Sequence, residues 1–334
     1  PRCDIASLRG LAAFVKRWLK ANLAPLEREL DFEEWLESTS YPESRKLELR
    51  RVHELLGGHA PTQKHRRRVQ SFIKTETYGE FKAPRWINSR SDAFKTYSGP
   101  FFKAIEQAVY KLPEFVKHVP VSERPERIAQ LEKAGRNYFG TDYTAFEASF
   151  TPELMRAVEC QLYRHMLGRV NPAKAELICR TISGRNCLRT RAGVSLTVEG
   201  QRMSGDMCTS LGNGFTNLML WSYLCEVNGV PRTSWDGLVE GDDGLFGIDA
   251  SCRAPTVSQY AALGFSIKIE TSARPGEANF CGNVTAGGVN MRDPRGVLRD
   301  FGWTLTQPYA GPKRLAELQR AKALSLAYEM PGCP

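Results

Sequence analysis

No stretch of this 334-residue chain runs to 18 uncharged apolar residues, and no basic-then-apolar leader opens it. Neither a membrane-spanning helix nor a secretory signal is therefore expected, and the segment reads as soluble. CxxC pairs are also missing. The nine cysteines are scattered, odd in number and without a histidine cluster beside them, which argues against a zinc site and points to reduced thiols in a cytosolic compartment. Acidic excess is lacking as well: 46 Lys and Arg against 37 Asp and Glu leave a formal charge of +9, which suits a polyanionic partner. Repeats and low-complexity tracts are absent. A hydrophobic content of 42% is enough for a large core in one domain or in two or three packed subdomains, which sets disorder aside. The chain opens on Pro1 without a Met, as a piece processed or excised from something longer would, and any membrane anchor would then lie outside it.

Apolar periodicity organises what is present. Leu19, Leu23, Leu26 and Leu30, then Leu47, Val52, Leu55 and Leu56, recur near helical spacing until Gly57-Gly58, so the first 60 residues are expected to be helical. Lys64 to Lys95 is basic with interleaved aromatics. A helix is expected from Ser98 to Leu112, a connector over 113–125, and a short strand at Asn137 to Asp142. Thr151-Pro152-Glu153 is a helix start with an N-cap, a Pro at N1 and an acid in the first turn. That helix should reach about Gly168. Cys187 to Arg191 and Val194 to Glu199 alternate like a hairpin around Ala192-Gly193. A long apolar helix should follow from Thr209 to Glu226, then two strands flanking Gly241-Asp242-Asp243-Gly244, and a last helix from Pro312 to Glu329.

Phosphodiester synthesis by two metals needs carboxylates from separate strands converging on one point, and paired acids on a tight turn meet that need. Asp242 and Asp243 sit at such a turn, and Asp142 ends another strand. A lone GDD is weak, since it arises by chance in about one chain of this length in fifteen, and by itself it is only an acidic hairpin turn. The run Arg202-Met203-Ser204-Gly205-Asp206-Met207-Cys208-Thr209-Ser210-Leu211-Gly212-Asn213 adds weight. Thr209, Asn213 and Asn217 recur every fourth residue, which puts a polar stripe on an otherwise apolar helix, and a buried helix needs a reason to carry one.

The order SGxxxTxxxN, then GDD, preceded by Asp142 and Glu147, resembles motifs A, B and C of positive-strand RNA virus RNA-dependent RNA polymerases. The run RMSGDMCTSLGN makes it most similar to the tombusvirus-like and nodavirus-like enzymes, and the resemblance covers roughly Phe72 to Gly282. It implies an α+β fold, a right-hand polymerase with an antiparallel palm sheet, fingers and a small thumb. Fingers would take 1–135 with the basic segment 72–95, and palm 136–158 with motif A. A fingers insertion would take 159–193, palm again 194–288, and a thumb that need not be complete 289–334.

The resemblance further implies template-directed RNA synthesis from ribonucleoside triphosphates, replicating a viral genome. Asp142, Asp242 and Asp243 would hold two Mg²⁺ or Mn²⁺ ions. Asn213 and Glu147 would read the ribose 2′-hydroxyl, with Thr209 nearby and Ser204-Gly205 as a mobile loop following the template. Glu147 stands where the family usually has Asp, one methylene shorter. Lys74, Lys82, Arg85 and Arg90 look like the basic segment over the nucleotide channel, with Arg85 and Arg90 foremost because guanidinium contacts phosphate bidentately. Lys268 resembles the lysine that protonates the leaving pyrophosphate, and Phe280-Cys281-Gly282 the primer-grip hairpin. The Lys64 to Arg68 run is equally readable as a solvated basic face or a localisation signal.

Expected partners are the RNA template and product duplex, ribonucleoside triphosphates and other viral replication proteins, in host cytoplasm at membrane-associated replication complexes. Three rivals remain at this stage. Reverse transcriptases carry an aromatic residue in place of Glu147 and an aromatic-x-Asp-Asp turn. A non-catalytic RNA-binding relic would not need all three acids, and a two-metal nuclease would not need the serine-glycine and basic segments.

Overall fold

The computed structural model describes residues 3–332 apart from 77, 79, 82, 287 and 306, and of 286 the backbone alone. Lys82 therefore lies outside the described residues. Ten strands are present among the described residues: β1 (Arg68–Ile73), β2 (Trp86–Arg90), β3 (Arg136–Tyr143), β4 (Arg185–Arg189), β5 (Ser195–Glu199), β6 (Trp235–Glu240), β7 (Asp243–Asp249), β8 (Ile267–Ser272), β9 (Val284–Ala286) and β10 (Val289–Met291). They form a central sheet in the order β6-β7-β3-β8, a second sheet in the order β2-β1-β4-β5, and the β9–β10 hairpin. With the helices around them this is a mixed α+β chain.

Every neighbouring pair in the central sheet is antiparallel. The register sets Glu240 opposite Asp243, Thr141 opposite Gly244, and Asp142 opposite Lys268. Both faces of the sheet are covered. The Thr209–Val227 helix lies on one, where Trp221 stacks on Phe246 with ring centroids 4.1 Å apart. On the other, Leu245, Leu238 and Tyr138 join a smaller cluster with Val116 and Phe280. Gly237 makes room for that stacking, since a Cβ there would stand 2.2 Å from the Phe246 ring.

The second sheet joins distant segments. β1 pairs with β2 antiparallel and with β4 in parallel, while β4 and β5 form the expected hairpin. The boundary expected between 193 and 194 thus cuts a hairpin that is one piece of this sheet.

Helix starts follow their caps: Thr151 Oγ1 accepts from the Leu154 N–H at 3.2 Å. That helix pauses, however, where Val158 takes φ −117° and ψ −84°, giving Pro152–Ala157 and Glu159–Leu167. In the N-terminal segment the first helix, Ile5–Asn22, ends before Leu23, whose backbone is extended. Leu23, Leu26 and Leu30 pack on the main core from a non-helical connector, so their spacing reflects burial and not a helix. Glu43–Leu56 closes on Gly57 at φ +56°, and the Pro312–Glu329 helix buries none of its side chains. No described helix is long and apolar enough to cross a membrane, and the described cysteines are free thiols.

Candidate active site

Only Gly241 and Asp242 link β6 to β7, because Glu240 already pairs with Asp243. Two-residue hairpins that match strand twist need a positive φ at the first central position; Gly241 supplies it at +60°. The turn is held from below by the buried Asn217. Its Nδ2 donates to the carbonyls of Asp242 and Asp243 at 3.0 Å each and reaches that of Gly241 at 3.4 Å, while its Oδ1 accepts from the Tyr143 hydroxyl at 3.1 Å. Tyr143 is itself packed among Phe146, Tyr260 and Phe265. The polar stripe flagged this position, but no site role was assigned to it from sequence.

Asp142 emerges from β3, one residue beyond the Thr141–Gly244 pair, so it lies beside the turn. The carboxylates feel one another. Burial first, then Asp242, Asp142 and Glu240 push Asp243 up to about 7, partly offset by a hydrogen bond from Cys281. Asp242 is raised as well, by burial and then by Glu147 and Asp142, with Arg85 pulling the other way. Neighbouring acids are treated differently: Glu240 is paired with Lys117 at 2.9 Å and Arg124 at 2.7 Å, and Glu270 with Lys268. Among the described residues no Lys or Arg stands within ion-pair distance of Asp142, Asp242 or Asp243. Uncompensated carboxylates of this kind suit a cation, although no three described His, Cys, Asp or Glu side chains are grouped closely enough to form a ligand cage.

Glu147 arrives beside the turn through a sharp reversal. Ala145 takes a left-handed φ of +51° and caps the short 3₁₀ turn Phe146–Ser149. Strained positions of this sort cost about 1 kcal/mol or more and gather at functional sites. Asn213 Nδ2 donates to Glu147 Oε1 at 3.3 Å, so this expected pair is brought together.

Residues 94–299, well over half of the chain, match the model of the viral RNA-dependent RNA polymerase family. The chain belongs to that family. It is similar to the RNA-directed RNA polymerase of Groundnut rosette virus (strain MC1), 28% identical over 69% of this chain and 29% of that protein. The Greasy grouper nervous necrosis virus enzyme is 26% identical over 72% of this chain and 27% of its own length. That of Tobacco necrosis virus (strain D) is 25% identical over 60% and 30%. This chain thus spans under a third of the curated relatives it matches. Polymerases of the family are nucleotidyltransferases that work with divalent metal ions.

Elsewhere the polymerase-family motifs are placed unevenly. Ser204 and Gly205 are docked on β2: Ser204 Oγ accepts from the Asn88 N–H at 3.2 Å and donates to the Trp86 carbonyl at 3.1 Å, and the Gly205 N–H donates to the Asn88 carbonyl at 2.9 Å. Thr209 spends its hydroxyl on the Met203 carbonyl at 2.8 Å, closing the loop. Arg85 is 64% exposed and paired with Glu76, as is Lys74.

Arg90 is buried where Arg85 is exposed. Its side chain is 2% exposed, and it donates to Asp206 at 2.9 and 3.0 Å and to Asn186 at 2.7 Å. In this arrangement it ties β2 to the serine-glycine loop. Lys268 is exposed on β8, opposite Asp142 in register, and Glu270 and then Asp142 hold its ammonium above the usual range.

Proposed function

We propose that this chain is the catalytic core of an enzyme that joins ribonucleotides on an RNA template. The supporting observation is the trio of acids on β3, on β7 and in the turn before β7, with no Lys or Arg paired to them among the described residues, in a chain that carries +9 overall. In this reading Asp142, Asp242 and Asp243 hold two Mg²⁺ or Mn²⁺ ions, and their excess charge suits that load. Divalent ions bound there supply activation of a 3′-hydroxyl and neutralisation of triphosphate charge.

The chain's own residues do the rest. Arg85, within electrostatic reach of Asp242, takes the triphosphate with Lys74 and Lys82 in support. Asn213 and Glu147 take the ribose 2′-hydroxyl, and the longer Glu147 is accommodated by the reversal at Ala145. Lys268, charged and beside Asp142, donates a proton to the leaving pyrophosphate. The central sheet is the palm, the second sheet with the N-terminal helices the fingers, and the segment after β10 a small thumb. Template RNA, the product duplex, triphosphates and other viral replication proteins are the partners, in the host cytoplasm at membrane-associated replication complexes.

The test is templated incorporation by the purified chain with Mg²⁺ or Mn²⁺, ribonucleotides against deoxyribonucleotides, beside Asp242→Ala. Incorporation of ribonucleotides that Asp242→Ala abolishes, with RNA binding retained, is the expected result. Preferential use of deoxyribonucleotides, or equal loss of incorporation and RNA binding, overturns it.

A further inference from the structure

Behind Asn213 lies a charged pair that neither the metal-binding acids nor the basic segment uses. Arg202 and Glu159 are 1% and 0% exposed, joined at 2.6 Å between Nη2 and Oε2. The guanidinium is fixed on its remaining sides: Nη1 donates to Cys208 Sγ at 3.3 Å, its Cζ lies over the Phe150 ring 4.6 Å from the centre, and Nε donates to Asn213 Oδ1 at 3.1 Å. Tyr163 donates its hydroxyl to the same Glu159 oxygen at 2.8 Å. Gly212 is the gap through which the pair passes, since a Cβ there would stand 2.5 Å from both Arg202 Nη2 and Glu159 Oε2.

Donor and acceptor chemistry then decides how Asn213 is presented. Arginine only donates and an ionised carboxylate only accepts. The amide oxygen of Asn213 must therefore face Arg202, and its NH₂ must face Glu147, where the structure has it at 3.3 Å. One N–H remains for a ligand, and the amide has no acceptor left to offer on that side. A ribose 2′-hydroxyl satisfies this arrangement twice, its oxygen accepting from Asn213 and its O–H donating to Glu147. A 2′-deoxyribose satisfies neither group.

We propose that Arg202, anchored by Glu159, is a positioning residue for sugar selection: it fixes the polarity of the Asn213 amide and so sets the preference for ribo- over deoxyribonucleotides. This rests on the nucleotidyl-transfer reading above, and wild-type incorporation checks that reading separately.

Arg202→Lys keeps the charge but has no side-on donor for Asn213. Its ribo-to-deoxyribonucleotide ratio in kcat/KM should fall about tenfold or more, the scale of one charge-assisted hydrogen bond, while ribonucleotide kcat changes less. In an Asn213→Ala background the same substitution should change the ratio no further. A second variant guards against misfolding: Glu159→Leu with Arg202→Met removes both charges together, which is commonly neutral for stability, and it should lose discrimination similarly. If the wild type incorporates ribonucleotides and either soluble variant keeps the wild-type ratio, or if Arg202→Lys still lowers the ratio in the Asn213→Ala background, the proposal is overturned.

Discussion

Replacing Asn217 with leucine isolates what holds the Gly241-Asp242 turn. Leucine nearly matches asparagine in size, so the change removes hydrogen bonds without opening a cavity. Two N–H···O bonds at 3.0 Å to the Asp242 and Asp243 carbonyls and the bond from Tyr143 at 3.1 Å are lost together. Each contributes about 1 kcal/mol when its partner is left buried and unpaired, which gives about 3 kcal/mol in all. Scaled by the unfolding entropy of a chain this long, Tm should fall by roughly 4 °C. Incorporation should suffer beyond that, because displacement of reacting groups by a fraction of an ångström costs tenfold or more in rate. The assay is single-nucleotide incorporation at a temperature where both proteins are fully folded, with Tyr143→Phe as the milder variant at about 1 kcal/mol. A leucine variant as stable and as fast as the wild type would refute the view that Asn217 holds the turn.

Three other outcomes follow from the charges. In metal-free protein Asp243 is raised from 3.8 to about 7, so the folded state favours its protonated form. The stability this gives is fully present below pH 3.8 and is lost as pH rises to about 7; urea midpoints measured in a chelator should decline across that window, and Asp243→Asn should flatten the decline. Arg85→Ala should raise the KM for nucleotides with little change in stability, since its exposed pair with Glu76 is worth about 1 kcal/mol or less. Arg90→Ala should instead destabilise the chain by about 3–5 kcal/mol, because Asp206 is left buried and unpaired; comparable unfolding midpoints for the two variants would contradict this.

Local chemistry was legible in the sequence, while long-range pairing was legible only where the family resemblance supplied it, as for Asn213 and Glu147. Thr151-Pro152, the strands around the GDD turn and the hairpin at Ala192-Gly193 declare themselves through caps, alternation and turn residues, which act over a few positions. Arg85 and Arg90 look alike in the basic segment, yet Arg90 is buried because Asp206, 116 positions later, meets it across the second sheet. The same limit hid the Arg202–Glu159 pair, whose only local sign is the glycine at 212. Leu23, Leu26 and Leu30 kept helical spacing and are partly buried without a helix, since apolar side chains on a connector follow the core they cover. Asn217 was visible only as part of a stripe, and its role required knowing which strand turn the helix face meets.

The proposed function requires that Asp142 and the 242–243 turn serve one cation site. Titration of Mn²⁺, followed by electron paramagnetic resonance on the wild type, Asp142→Asn and Asp242→Asn, tests it directly. Each substitution should weaken the same high-affinity ions by about tenfold or more. Undiminished Mn²⁺ binding by Asp142→Asn, with loss only in Asp242→Asn, would contradict it.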